Sequence, residues 1–388
     1  MRKAFKYRLY PNRAQTEALA QQLQTHRRLY NAALEERRTA WENEQRSVRY
    51  AEQSARFTEE RRTNPYYARL NFSSAQATLR TLNRAFEAFF RRIKAGETPG
   101  YPRFKGRSRF KSIYFPSYGD GCKLRQDEQG RTLLYLQNIG EIKVKLHRPW
   151  EGKIKTVTVK CEPGPNTGPD TWYVILSCDL GEVATPCRKG PAVGIDLGLK
   201  AFLVTSDGWR VDPPRYYREA QARLRRLQRR VARRKKGSGR WRKACRDVAR
   251  LHGHIANQRR DFHHKTARAL VQQYGTIYVE DLNIKGIART RLAKSTHDVG
   301  WAQFARILSS KAEEAGAQVQ RVDPAYTTQA CSRCGAIPEE KLTLKDRTYS
   351  CGSCGFTADR DENAALNVLA KGLGYSLQST STPSGVLL

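Results

Sequence analysis

What this sequence lacks is a long apolar run. Nowhere in its 388 residues do about 18 apolar residues follow one another, the length a helix needs to cross a membrane, so a helical span is excluded. No apolar centre of a secretory signal stands near the start. Instead Met1-Arg-Lys-Ala-Phe-Lys-Tyr-Arg-Leu-Tyr10 alternates apolar and basic residues with period two, a strand pattern. Acids are scarce too: 37 Asp and Glu stand against 71 Lys and Arg, a formal net charge of +34. That imbalance calls for a polyanionic partner, most simply nucleic acid, rather than a membrane. A cysteine framework is missing as well. Of nine cysteines, Cys122, Cys161, Cys178, Cys187 and Cys245 are scattered without pattern, which speaks against a secreted disulfide scaffold and for a reducing compartment. There is no internal repeat. The expectation is a cytoplasmic, nucleoid-associated protein of a multi-domain α+β class.

What is present changes texture along the chain. Residues 12–96 carry helical spacing, with Ala18, Leu19, Leu23, Leu29, Tyr30, Ala33 and Leu34 in one stretch and Leu79, Leu82, Phe86, Phe89 and Phe90 in another. Residues 97–185 hold short alternating runs separated by Gly and Pro, the signals of a small β-barrel or sandwich. The first strand, within 1–11, is expected to join that barrel, making the helical segment an insertion. Residues 181–191 read as a linker.

A long basic tract follows over 215–273, with 20 Lys and Arg against three acids, Glu219, Asp247 and Asp261. Leu224, Leu227, Val231, Val248 and Leu251 supply only a narrow apolar stripe, and the Lys235-Lys-Gly-Ser-Gly-Arg240 break predicts a helical hairpin. A solvated face would explain one charge run. Repulsion on this scale is relieved by phosphates, so Arg225, Arg229, Arg233, Arg234, Lys235 and Lys236 are expected to contact nucleic acid. A strand at 276–282, a polar loop at 283–298, a helix at 299–316, a strand from Gln318 and a last helix at 361–371 complete the reading. The Ser/Thr-rich tail, 374–388, is expected to be disordered.

Four cysteines do form a pattern. Cys331-x-x-Cys334 and Cys351-x-x-Cys354, 16 residues apart and each followed by Gly (Gly335, Gly355), offer four thiolates to a structural Zn²⁺. With all four positions filled, no site is left open for catalysis.

Three acids stand in strand-like or helix-start contexts: Asp196 in Ala192-Val-Gly-Ile-Asp-Leu-Gly198, Glu280 in Thr276-Ile-Tyr-Val-Glu-Asp-Leu282, and Asp361 in Asp359-Arg-Asp-Glu-Asn-Ala-Ala365. Singly, each has an ordinary explanation: a turn residue, a strand end, an acid favoured by a helix dipole. Together, in the order strand, strand, helix start, they match an RNase H-like fold whose carboxylates hold two Mg²⁺ about 3.5–4 Å apart for phosphodiester cleavage. Arg360 is placed to contact the scissile strand or to pair with Asp361. Asn363 either orients the carboxylates or caps the last helix. His252, His254, His263 and His264 read as helix-face or phosphate-contacting residues before proton shuttles.

These stretches, with Phe5-Lys-Tyr-Arg-Leu-Tyr-Pro-Asn-Arg-Ala-Gln15, Arg28-Leu-Tyr-Asn-Ala-Ala-Leu34 and Pro102-Arg-Phe-Lys105, closely resemble the transposon-encoded TnpB (OrfB) family, relatives of type V CRISPR effectors. The resemblance implies a RuvC nuclease domain over 190–325 and 357–373, with Asp196, Glu280 and Asp361 as catalytic, Mg²⁺-binding acids. It implies a zinc ribbon at 326–356 that binds the target nucleic acid, a wedge-type barrel over 1–11 and 97–185, and a recognition module over 12–96. It further implies a guide RNA from the transposon end, double-stranded target DNA cut beside a short adjacent motif, and a transposase encoded nearby as a further partner. A transposase or accessory protein of the same fold, or a cleavage-inactive RNA-guided regulator, is the alternative.

Overall fold

The computed structural model describes residues 2–107, 109–163, 170–181, 188–340, 342–343 and 346–375. Cys187, most of the expected linker and the expected tail from 376 onward lie outside them. The chain divides into two compact units, 1–183 and 184–388. Among the described residues, no helix is long and apolar enough to cross a membrane.

The first unit runs β1 (Arg2–Tyr10), α1 (Arg13–Glu44), α2 (Tyr50–Thr63), α3 (Pro65–Ala68), α4 (Phe72–Lys94), β2 (Ser112–Phe115), β3 (Cys122–Gln126), β4 (Thr132–Leu136), β5 (Gly140–Lys145), β6 (Lys153–Glu162) and β7 (Thr171–Asp179). The alternation of β1 is a two-faced strand: Phe5, Tyr7 and Leu9 are buried, while the basic residues between them face outward. β1 sits at the centre of a seven-stranded antiparallel sheet of order β2-β6-β7-β1-β5-β4-β3. Its edge strands contribute Ile113, Phe115 and Cys122 to the same core as the central residues. Among the described residues no ladder joins β2 to β3. The intervening turn occupies that gap, with the Tyr118 amide donating to the Lys155 carbonyl (2.9 Å).

The helices between β1 and β2 form a separate core. α1 starts at a reciprocal cap, in which Gln15 N–H donates to Asn12 Oδ1 (2.8 Å) and Asn12 N–H to Gln15 Oε1 (3.0 Å). Leu29, Tyr30 and Leu34 of α1 pack with Phe57 of α2 and with Leu79, Leu82 and Phe86 of α4. Each such side chain, fully buried, contributes about 2 kcal/mol. One polar knot is embedded there. His26, 1 % exposed, has Nδ1 2.9 Å from Thr78 Oγ1 and Nε2 3.3 Å from Ser74 Oγ.

The second unit runs β8 (Ala192–Asp196), β9 (Leu203–Thr205), β10 (Arg210–Val211), α5 (Tyr216–Ala232), α6 (Gly239–Gln273), β11 (Thr276–Glu280), α7 (Ile284–Ile287), α8 (Ala293–Val299), α9 (Trp301–Ala315), β12 (Gln318–Val322), β13 (Thr348–Ser350), β14 (Thr357–Asp359) and α10 (Arg360–Gly372). Five strands form a sheet of order β10-β9-β8-β11-β12, in which β8, β11 and β12 are parallel, β9 runs against β8, and β10 runs against β9. Covered on both faces, β8 and β11 are apolar throughout their middles rather than alternating. One face packs Val193, Ile195, Ile277 and Val279 against Ala267, Leu270, Phe304 and Leu308.

α10 covers the opposite face of β8. A Cβ on Gly194 would fall 2.2 Å from the Ala365 carbonyl oxygen and 2.4 Å from the Leu369 amide nitrogen, so backbone meets backbone there. α5 and α6 form a hairpin around Leu224, Leu251 and Ile255, and Ser238 caps α6 through the Trp241 amide (3.1 Å).

The stretch 283–298 is not the polar loop that its sequence suggests. It contains α7 and α8, because Asn283 Oδ1 caps the first (Gly286 N–H, 3.0 Å) and a buried acid anchors the end of the second. That acid, Asp298, accepts the Tyr217 amide (3.0 Å) and the Arg218 amide (3.4 Å) at the start of α5. It also accepts Arg259 Nη2 (3.4 Å) from α6.

Two measurements test this account. Burial lowers His26 and His263 from 6.5 to about 4, and neither has a carboxylate partner among the described hydrogen bonds. With folded values below unfolded ones, the neutral-histidine stability is complete above about 6.5 and is lost as pH falls towards 4. Acid titration over that window should cost each unit about 3 kcal/mol, followed by urea unfolding; a flat profile would remove the argument. Gly194→Ala should destabilise the second unit by about 3 kcal/mol, because no rotamer relieves a backbone clash. Unchanged thermal melting of that variant would show that α10 is free to slide.

Candidate functional site

The parallel ladder of β8 and β11 ends with Ile195 beside Val279. The next residue on each strand is an acid, Asp196 and Glu280, so both stand at the same end of two neighbouring strands. Asp361 reaches the same place from the first turn of α10, held by the Asp359 cap, whose Oδ1 accepts the Asp361 amide (2.8 Å) and the Glu362 amide (3.3 Å).

Asp196 feels the charge of both other acids. Burial first, then the charges of Glu280 and Asp361, hold the Asp196 carboxyl well above the usual carboxylate range, with Arg360 opposing. Burial likewise raises Glu280, against a hydrogen bond from the Thr327 hydroxyl (2.5 Å) and the charge of Lys371. Asp361 is differently placed. Three guanidiniums surround it: Arg360 Nη2 at 3.3 Å, Arg210 Nη2 at 3.8 Å and Arg347 Nη1 at 3.9 Å. Two proton-seeking carboxyls beside a third are what a divalent cation neutralises, and the donor set is all oxygen, as Mg²⁺ requires.

The ribbon stands next to these acids. Cys331 Sγ lies 3.7 Å from Cys354 Sγ, and Cys334 Sγ 3.6 Å from Cys351 Sγ. All four sulfurs are within 4.8 Å of one another, a closer set than the carboxylates make. Tetrahedral Zn–S bonds of about 2.3 Å put sulfurs about 3.8 Å apart, so the cluster has zinc-binding dimensions. The two knuckles repeat one geometry. Gly335 N–H donates to Cys331 O (2.9 Å) and Gly355 N–H to Cys351 O (3.0 Å), with both glycines at positive φ, 76° and 70°. Burial opposes ionisation of Cys351, yet the Cys354 and Ser353 amides and the neighbouring thiols bring it down to about 6.

Asp359, not Asn363, caps α10, and among the described hydrogen bonds none joins Asn363 to the three acids. Fully buried, it donates from Nδ2 to the Ala330 carbonyl (2.8 Å) and accepts the Ser332 amide (2.9 Å). Asn367, one turn later, donates to the carbonyls of Thr327 (2.9 Å) and Ala330 (2.7 Å). α10 thus grips the segment that carries both the partner of Glu280 and the first zinc ligand. Thr327, Asn367, Arg210 and Arg347 carried no recognisable signal in the sequence; only Asn367, spaced four residues from Asn363, shared its helix face.

Arg360 is 9 % exposed, with its guanidinium on the Thr343 carbonyl (2.9 Å) and Asp361, the pairing arm of the two roles considered. Arg225, Arg229, Arg233, Arg234, Lys235 and Lys236 are all exposed around the turn of the α5–α6 hairpin. His263 is in the core, stacked on Phe202 (ring centroids 5.5 Å apart) and bonded to the Val299 carbonyl (2.8 Å). His252, His254 and His264 are exposed on α6.

Comparison with known proteins bears on this geometry. The OrfB_IS605 family, described as a probable transposase, matches residues 176–291, and the Cas12f1-like TNB domain matches 301–368. A helix-turn-helix family of the same group matches 1–46, where the structure has β1 and the single helix α1. A putative RNA-guided DNA endonuclease from Streptomyces pristinaespiralis is 34% identical over 97% of this chain and 90% of its own length. The putative RNA-guided DNA endonuclease InsQ of Escherichia coli (strain K12) is 33% identical over 76% of this chain and 73% of its own. Among solved structures, the Cas12f1 chain of an sgRNA–target DNA complex superposes with a TM-score of 0.56 at 15% identity, covering 91% of this chain and 82% of that one, a likeness of fold.

Zinc should therefore measure one per chain by atomic absorption, and Cys334→Ser should lose it. Because Asn363 and Asn367 tie the knuckle to α10, amide exchange at 327–332 and over the first turn of α10 should rise by about tenfold or more on zinc removal. Loss of zinc with unchanged exchange would sever the ribbon from the acids.

Proposed function

The chain belongs to the TnpB (OrfB) family, related to Cas12f1, and from that membership we propose that it is an RNA-guided, Mg²⁺-dependent DNA endonuclease. Its substrate in this reading is double-stranded DNA beside a short target-adjacent motif. One observation carries the reading: Glu280 and Asp361, from a neighbouring strand end and a helix start, are close enough to Asp196 for their charges to hold its carboxyl up. The strand order, with β8, β11 and β12 parallel and β9 alone reversed between β8 and β10, supports an RNase H-like (RuvC) core over 190–325 and 357–373. On the same footing, 326–356 is the target-binding ribbon, 1–11 and 97–185 the wedge barrel, and 12–96 the recognition module.

Asp196 and Glu280, both reluctant to ionise without a cation, would be the Mg²⁺ ligands together with Asp361. Divalent ions held there would supply Lewis-acid and water-activating chemistry. The chain's own residues set the geometry. Thr327 fixes one oxygen of Glu280, the Asp359 cap fixes the turn of Asp361, and Arg360 and Arg347 hold the Asp361 carboxylate. Arg210, half-exposed and held by long pairs to Asp359 (3.6 Å) and Asp361 (3.8 Å), is a cation that can turn to a phosphate. The exposed basic residues of the α5–α6 hairpin hold a nucleic-acid backbone without reading its sequence, which base pairing with a guide RNA would do.

The test is expression with the flanking DNA of its own locus, followed by sequencing of the co-purified RNA. A discrete RNA with a variable end is expected, and the complex should cut matching duplex DNA only with Mg²⁺, with Asp196→Ala at background. Bulk cellular RNA alone, or cutting that survives Asp196→Ala, would overturn the reading. Joined rather than free DNA ends would assign strand transfer, the transposase alternative.

A further inference from the structure

Two sequence stretches remain unused by this site: Arg28-Leu-Tyr-Asn-Ala-Ala-Leu34 on α1, and Pro102-Arg-Phe-Lys105, which follows α4. The structure joins them. Asn31 Oδ1 accepts the Lys105 amide (2.9 Å), and Asn31 Nδ2 donates to the Lys105 carbonyl (3.1 Å), a two-way clamp that imitates a strand pair. Lys105 Nζ lies over the ring of Tyr30 at 4.9 Å, and Arg27 Nη1 reaches the same carbonyl at 3.4 Å. Pro102 is buried. The backbone of this tetrapeptide is thereby fixed on both sides of Arg103 and Phe104.

The two fixed residues are turned outward. Phe104 is 44% exposed, and Arg103 is exposed, with no hydrogen bond or ion pair among the described residues. A phenylalanine held 44% exposed by a pinned backbone returns only part of its burial energy to folding. Nearby in the chain, Tyr101 and Phe90 are about half exposed, and Phe89 packs edge-on against both, at 5.4 and 5.2 Å. Over 89–110 the sequence interleaves five aromatic residues with seven Lys and Arg and one acid, Glu97.

We propose that Phe104 and Arg103, presented by the Asn31 clamp, form a stacking platform for an unpaired base of RNA. Exposed rings among cations suit single-stranded nucleic acid: the rings take base faces and the cations take phosphates. The same charge argues against a second copy of this chain, whose identical patch would be repelled. Duplex DNA keeps its base faces stacked, whereas folded RNA exposes bases in loops and ends. The platform rests on the reading of the protein as RNA-guided.

The experiment measures binding of the full-length chain to its co-purified RNA, and to a single-stranded DNA of the same sequence, across a salt series. Phe104→Ala should weaken RNA binding by about tenfold or more with the salt slope unchanged, since a stacked ring releases no counterion. Phe104→Trp should restore it. Arg103→Ala should weaken binding and lower the salt slope by about one. Melting curves verify that each variant is folded, which an exposed site permits. Unchanged RNA affinity in Phe104→Ala overturns the platform while leaving guided cleavage standing. A larger loss on single-stranded DNA than on RNA overturns the choice of RNA. Concentration-dependent dimers in sedimentation that vanish in Phe104→Ala, with RNA binding intact, would make the patch an interface between copies. If wild type binds no RNA above background, the failure belongs to the RNA-guided reading itself.

Discussion

The second unit depends on one close approach, α10 lying directly on β8 at Gly194. With 2.2 Å between a notional Cβ and the Ala365 carbonyl oxygen, only glycine lets the helix descend far enough. The consequences radiate from that contact. Asp361, in the first turn, comes level with the ends of β8 and β11. Asn363 and Asn367, on the helix face turned to the ribbon, take the otherwise unpaired carbonyls and amide of 327–332. That segment then delivers Thr327 to Glu280 and Cys331 to the metal cluster. One steric permission thus couples a helix, three carboxyls and four thiols.

Charge is handled in opposite ways at two scales. The chain as a whole carries +34, concentrated on exposed surfaces such as the α5–α6 hairpin, where phosphates are the natural counterions. Within that positive field the candidate active site gathers acids, and the second unit answers them unevenly. Asp361 receives three guanidiniums, whereas burial dominates at Asp196 and Glu280, and Asp196 bears the charge of both other acids as well. A site so arranged is costly without cations and relaxed with them. The ribbon repeats the principle with softer ligands, since four thiols within 4.8 Å of one another cannot all ionise without a metal among them.

Which parts were legible in the sequence follows from how each residue's role is encoded. Strand β1 was plain because its two faces see different media, so its residues alternate. The apolar cores of β8 and β11 were plain because both faces are covered. The cysteine knuckles were plain because ligands must sit two residues apart on a tight, glycine-closed turn. α7 and α8 were missed because their anchors, Asn283 and Asp298, are polar; their residues look like loop until Asp298 is seen accepting the amides at the start of α5. Asn363 was misread for the same reason. A buried amide's partners are distant in sequence, and a place in the first turn of a helix offers both a cap and a carboxylate partner before either Ser332 or Ala330.

By itself, then, the sequence determined quantities that are local or additive: charge, the periodicity of strands and helices, the turn chemistry around each thiol pair, and three acids in suggestive settings. The tertiary structure alone decided what requires two distant segments to meet. It chose Thr327 as the partner of Glu280 and turned Arg360 inward onto Asp361. It also clamped Lys105 to Asn31, leaving Phe104 in water. Hydrogen bonds and ion pairs act over a few ångströms in space and carry no mark of the separation in sequence that they close, which for Thr327 and Glu280 is 47 residues.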